Sequence, residues 1–293
     1  MPRPPAIKFP GYRQFDLARV EVNDATMALL VGSRLAAHLL TANAGSSAYL
    51  PEIYPAVSGI ERLRLRADAA SLLLRGAERH LSSMAIPYIW ASYEALVESS
   101  IKILVQASKG TMNVSEYQTG MKGRHDYIQR VTGSLLEVDD LALVDLVRRI
   151  RNCIVHDGGL KNGQVLKAWS VLSTTAKARW VSDTRRDLRL AGGRLDILSG
   201  EVIGSLAVTK HMARQISSLL GAVVSKATWS KIIVDDFLAN YPGLPSVVND
   251  PPVLRRKVEG WARMYYSSAG VATKELEKVL GCRPPQEQRG SSR

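Results

Sequence analysis

Between Asp145 and Gly159 the chain reads DLVRRIRNCIVHDGG, which crowds Arg148, Arg149, Arg151, Asn152 and His156 onto one short stretch. These residue types suit one chemistry, the cleavage of RNA without a metal. A base must take the proton of the 2′-hydroxyl, an acid must protonate the leaving 5′-oxygen, and a fixed cation must steady the negative charge at phosphorus. Histidine serves proton transfer because its ordinary pKa lies near neutrality. Arginine serves the phosphate because its planar fork donates two parallel hydrogen bonds. Positive neighbours would also favour the neutral, basic form of the imidazole.

A second reading fits the same residues. Leu143, Val147, Ile150 and Ile154 step by four, three and four, so a helix over 140–155 is expected to carry the stretch. Asp157-Gly158-Gly159 then ends it, because glycine takes the left-handed C-cap conformation readily. Cations at a helix C-terminus are favoured by the macrodipole by roughly 0.3–1 kcal/mol, so the arginines and His156 could be stabilisers alone. In an ideal helix Arg151 and His156 differ by about 140° around the axis, whereas Asn152 and His156 share a face. Arg151 and His156 can then meet if the helix ends near His156, or if a second subunit completes the site.

The surrounding elements are expected to be helical. Leu, Ala and Arg dominate and aromatics make up only 6% of residues, which favours helices over sheets. A first helix is predicted over 14–41, with Val20, Met27, Val31 and Leu35 in helical spacing, then a loop over 43–58. Leu63, Ala67, Ala70, Leu74, Ala77 and Leu81 predict a second helix. Pro87 is placed in the first turn of a third, 87–107, whose inner face carries Ile89, Tyr93, Leu96 and Ile101. On another face of it Glu94, Glu98 and Lys102 follow at i, i+4. They form either a solvated row in which Glu98 supports Lys102, or an accessory part of a site. A helix over 125–136 follows, and Asp139 or Asp140 is expected to cap the next one. LRLAGGRLDIL, 188–198, predicts a small hairpin around Gly192-Gly193, and Gly200–Lys226 a further helix. From Trp229 the chain is expected to form a helical appendage, with PPQEQRGSSR disordered.

Charge is distributed unevenly. The formal net charge is +12, yet residues 1–146 hold 15 basic and 15 acidic side chains. The whole excess therefore lies in the second half, and residues 147–194 carry 11 basic side chains against three acidic ones. Such a segment suits either a polyanion-binding face or a solvated basic surface.

Two cysteines far apart make no disulfide framework, and His38, His80, His125 and His211 show no metal-ligand spacing. No GxxxxGK[ST], GxGxxG or GxSxG motif occurs, so no metal and no cofactor are expected. The N-terminus, MPRPPAIKFPGYRQFD, has prolines and charges where a signal peptide needs an apolar core. The longest apolar run, MALLVGSRLAAHLL, is interrupted by Arg34. A soluble, cytoplasmic protein without a membrane partner is expected.

RRIRNCIVHDGG resembles the signature of the HEPN superfamily, helical domains with an Arg-x4–6-His motif often written Arg-Asn-x-x-x-His. Arg151, Asn152 and His156 match its three residues, and IPYIWASYEALVESSIKILV resembles the long helix beside the motif helix. The resemblance covers about residues 60–225. It implies a mainly α, HEPN-like bundle with a small β-hairpin after the motif helix. The domains would be a helix and loop over 1–58, the bundle over 59–228 and a helical appendage over 229–293. It further implies a metal-independent endoribonuclease, a toxin or anti-phage defence effector, acting on RNA as a homodimer, with an antitoxin or activating partner. His156 would be general base or acid, Arg151 the phosphate ligand and Asn152 the residue that orients the histidine or the RNA. Arg148, Arg149 and Lys161 would hold the RNA, with Glu94 and Glu98 accessory. Some members only bind RNA, nucleotides or partners, so a non-catalytic binding module or a regulatory helical protein stands as the alternative.

Overall fold

The computed structural model describes residues 5–43, 45, 47–62, 64–108, 120–160 and 162–281. Among them are 13 α-helices and one two-stranded sheet, so the protein is mainly α, as its composition predicts. In chain order the helices are α1 (Pro10–Leu40), α2 (Leu50–Ile53), α3 (Ala67–Arg75), α4 (Ala77–Ser108), α5 (Gly120–Thr132), α6 (Val138–Asp157), α7 (Gly163–Ser170) and α8 (Thr174–Thr184). After the hairpin β1 (Leu190–Ala191) and β2 (Arg194–Leu195) come α9 (Ser199–Val223), α10 (Lys226–Asn240), α11 (Leu244–Val247), α12 (Pro251–Tyr266) and α13 (Thr273–Gly281).

The chain divides into two compact units built from interleaved segments. One holds Met1–Phe15, Glu94–Leu136 and Ala213–Arg293; the other holds Asp16–Tyr93 and Glu137–Met212. In the first, α10, α12 and α13 pack on one another around Trp229, Ile233, Phe237, Val258 and Leu276. Segment 229–281 is thus part of a packed core. The N-terminal segment joins the same unit, Ile7 N–H donating to Ser217 Oγ and Lys8 N–H to the Tyr265 carbonyl.

His125 is buried in this unit. Burial, and then the charge of Arg124, push its pKa down to about 4. The unfolded chain binds a proton near pH 6.5 that the folded one refuses until about 4. Stability is therefore complete above 6.5 and falls as pH drops through that window, by about 3 kcal/mol in all. Urea midpoints at pH 7 and pH 5 should separate markedly for the native chain and less for His125→Asn; an equal pH slope in both would remove His125 as the cause.

In the second unit the motif helix α6 packs on α7 and α8. Leu143, Leu146, Val147, Ile150 and Cys153 form its buried face, while Ile154 is only half-buried. It ends as predicted: Gly158 at φ 56 and Gly159 at φ 84 take the left-handed turn, and their N–H groups cap the Ile154 and Cys153 carbonyls. The hairpin forms as expected too, with Leu190 opposite Leu195 and Gly192 and Gly193 both at positive φ.

Other expectations are corrected. The α6 N-cap is Glu137, which makes no side-chain cap bond. Neither aspartate caps, because both reach other elements: Asp139 accepts from Ser173 Oγ at 2.7 Å, and the buried Asp140 is bonded to Arg179. The second predicted helix breaks at Gly76, and its latter half runs on through Pro87 as α4. A proline inside a helix costs about 3 kcal/mol. Ile86, Ile89, Trp90 and Tyr93, all buried around it, offset that cost. The helix predicted over 125–136 is Gly120–Thr132, and that over 200–226 stops at Val223, where Ser225 caps α10. The predicted loop 43–58 contains α2. The stripe of Val20, Val31 and Leu35 on α1 faces outward; the buried face is Tyr12, Phe15, Leu30, Ala37 and Leu40. Leu63, Lys161 and the C-terminal PPQEQRGSSR lie outside the described residues.

Candidate functional site

Arg151, Asn152 and His156 all lie on α6, which remains helical through His156 to Asp157. The helix end therefore does not bring Arg151 and His156 onto one face, and their Cα atoms stay about 140° apart around the axis. The side chain of Arg151 narrows that gap. Its Nη1 donates to Asn152 Oδ1 at 3.0 Å, which turns the guanidinium toward the face that Asn152 shares with His156. Arg151 and Asn152 are half-buried and His156 is exposed.

The electrostatics separate Arg151 from its neighbours. Arg148 and Arg149 both grip Asp145, at 2.6 Å each, and Arg149 also reaches Gln164 Oε1 at 2.7 Å. Burial alone would raise the Asp145 carboxyl; the bonds from Arg149 and Arg148 outweigh it and hold the carboxyl below its ordinary range. Two guanidinium groups on one carboxylate leave a single net charge there. Arg151 has no acidic partner among the described residues, and its Nε is buried without any hydrogen-bond partner.

Much of the basic excess in 147–194 is likewise neutralised by acids that the linear sequence does not place beside it. Arg179 is paired with Asp140. Arg186 meets Glu201 at 2.9 Å and Asp196 at 3.0 Å. The charge count thus overstates the free cations of this segment.

Three groups that sequence reasoning missed secure the end of the motif helix and the hairpin beside it. Arg194, exposed, donates through Nη2 to the Gly158 carbonyl at 2.7 Å, and Leu195 N–H donates to Gly159 O at 3.0 Å. Asn162 Nδ2 donates to Gly193 O at 2.8 Å. The signal for Arg194 was its place directly after the Gly192-Gly193 turn. Glu94 and Glu98 belong to the first unit, where Glu98 pairs with Lys102 at 2.9 Å, as one of the two readings of that row has it. Cys153 is buried and its thiol is pushed up by burial and by Asp157, which makes it a poor nucleophile. Among the described residues no three His, Cys, Asp or Glu side chains group as metal ligands. No protein-family model, curated protein or solved structure matches the chain.

Proposed function

We propose that the chain is an endoribonuclease of the HEPN type, acting on RNA by attack of its own 2′-hydroxyl. One observation carries this reading. Arg151 is half-buried with no carboxylate partner among the described residues, and is held by Asn152 toward the face of an exposed histidine. A structural arginine in that position would be expected to take an acid, as Arg148 and Arg149 do.

In this mechanism His156 accepts the 2′-hydroxyl proton, the 2′-oxygen bonds to phosphorus, and the P–O5′ bond breaks. The leaving oxygen takes a proton from an imidazolium, supplied by His156 of a second copy in a homodimer. Arg151 donates to the phosphate oxygens as charge grows there. The products are a 2′,3′-cyclic phosphate and a 5′-hydroxyl, and DNA is inert for want of the nucleophile. A toxin or anti-phage effector in the cytoplasm, held in check by an antitoxin or an activating partner, is the setting that suits such an activity.

The test is cleavage of mixed RNAs in EDTA. His156→Ala is expected to lose about 100- to 10,000-fold and Arg151→Ala about 100- to 1,000-fold, with helicity unchanged. Cleavage of a 2′-deoxy substrate, or activity that EDTA removes, would sink the mechanism. The angular separation of Arg151 and His156 favours a second reading, RNA binding without cleavage. Intact RNA together with binding that weakens steeply in salt would select it.

A further inference from the structure

The outward face of α1 carries a pattern that the core does not use. Leu17, Glu21, Asp24, Ala28, Val31 and Leu35 alternate steps of four and three residues, and all are exposed. This is the spacing of a two-helix coiled-coil seam, and among the described residues no helix covers it. The aliphatic side chains on and beside it are far from satisfied: Leu17 is 70% exposed, Val20 56%, Val31 67%, Leu35 58% and Leu39 53%. Glu21 and Asp24 interrupt the first half of the face, while Val31, Leu35 and Leu39 make its second half aliphatic, a cluster a monomer rarely leaves in water. The face also has polarity along its length, with Glu21 and Asp24 toward its start and Arg34 and His38 toward its end.

We infer that this face of α1 is a self-association surface, on which a second copy of the chain docks its own α1 antiparallel. A two-fold axis between Leu29 and Leu30 sets Ala28 against Val31 of the second copy and Glu21 against His38. It brings Asp24 alongside Leu35 and within reach of Arg34, both of the second copy. Glu21, Asp24, Ala28, Val31 and Leu35 then each face a residue of the second copy's α1, Leu17 falls opposite Ala42 beyond its end, and the acidic end of each helix lies on the basic end of the other. Parallel pairing would stack Glu21 on Glu21, Asp24 on Asp24 and Arg34 on Arg34. Charge complementarity therefore selects the antiparallel arrangement. Arg34 already meets Glu78 at 3.0 Å, yet its side chain is 67% exposed and its remaining donors stay available. By composition Pro10–Asn43 is also long and apolar enough to cross a bilayer. Glu21, Asp24, Arg34 and His38 on the same face oppose burial in lipid. α1 lies outside the stretch resembling HEPN proteins, so the inference stands whether or not His156 cleaves RNA.

Light scattering and sedimentation of the full chain test it. The native protein is expected to be a dimer at about 50 µM, and Val31→Asp with Leu35→Asp to weaken the dimer at least about 100-fold with unchanged helical circular dichroism. Asp24→Arg should also weaken it, and the reciprocal Asp24→Arg, Arg34→Asp variant should restore it. A monomeric native chain, or a dimer indifferent to Val31→Asp with Leu35→Asp, would overturn the inference. So would a dimer indifferent to Asp24→Arg, the result for parallel helices in which either charge faces its own copy, or pelleting of a monomer with neutral phosphatidylcholine vesicles, which would assign the face to lipid. RNA cleavage is scored separately, so loss of the dimer and loss of His156 chemistry remain distinguishable.

Discussion

Asp236→Ala is expected to cost the protein about 3–5 kcal/mol at neutral pH, the range for removing one partner of a buried ion pair. The Asp236 side chain is 1% exposed and collects five donors. Arg13 gives two, from Nη1 at 2.8 Å and Nη2 at 2.6 Å, Trp261 Nε1 and the Tyr266 hydroxyl each give one at 2.8 Å, and Asn240 Nδ2 gives one at 2.9 Å. The Arg13 guanidinium lies over the rings of Tyr265 and Trp261, 4.6 and 5.3 Å from their centroids. Alanine would deprive a cation, a buried hydroxyl and a half-buried indole donor of the acceptor they share. The pH dependence follows from the same contacts. Burial on its own would raise the Asp236 pKa; the bonds from Arg13, Trp261 and Tyr266 outweigh it and hold the carboxyl below its ordinary value. Its contribution is present above the unfolded carboxylate pKa, about 3.9, and is lost as pH falls through the lower folded value. Denaturant titrations should show the gap between native and Asp236→Ala proteins wide at pH 7 and closing toward pH 3. A gap under about 1 kcal/mol at pH 7 would mean that the cluster is not a stabilising one.

The second large effect is expected at Trp180, in the unit that holds the motif helix. Trp180→Ala should cost about 3–5 kcal/mol through lost burial and the cavity left behind. The indole is fully buried, stands edge-on to Trp169 at 6.4 Å, and lies against Gly204 of α9. A Cβ on Gly204 would come within 2.5 Å of Thr184 Cγ2 and 3.5 Å of the indole, so α9 can approach α8 only at a glycine. The indole Nε1 has no hydrogen-bond partner among the described residues, so Trp180→Phe sacrifices no bond seen there and should cost much less than alanine. Thermal unfolding of the two variants checks this ordering, and comparable losses in both would show that ring volume is not what α8 and α9 are packed around.

What the sequence disclosed and what it hid follow from range. The end of α6 was legible because Asp157-Gly158-Gly159 encodes its own backbone geometry, and so was the hairpin at Gly192-Gly193. The start of α6 was misread because Asp139 and Asp140 look like local caps but are spent on Ser173 and Arg179, more than 30 residues away. No local pattern pairs Arg13 with Asp236 across 223 residues. Pro87 misplaced a helix start because the propensity rule weighs one residue, whereas burial of Ile86, Ile89 and Trp90 is collective. In α1 the spacing of Val20, Val31 and Leu35 was correctly helical and left the side they face open, since periodicity fixes a stripe but not its direction. For the candidate site, the three motif residues were legible; the neutralisation of Arg148 and Arg149 and the isolation of Arg151 required side-chain geometry.

His156 occupies the last turn of its helix, a place where an untethered helix unwinds and rewinds continually. Here Arg194, Leu195 and Asn162 tie that turn and the hairpin together through the Gly158, Gly159 and Gly193 carbonyls. The imidazole is therefore carried on a splinted end, and its wandering is limited to its own side-chain torsions. Under the proposed mechanism, a splint of this kind makes the four-residue ribbon a tuning peg for the site: loosening it is expected to widen the volume His156 samples and dilute its encounters with a phosphodiester.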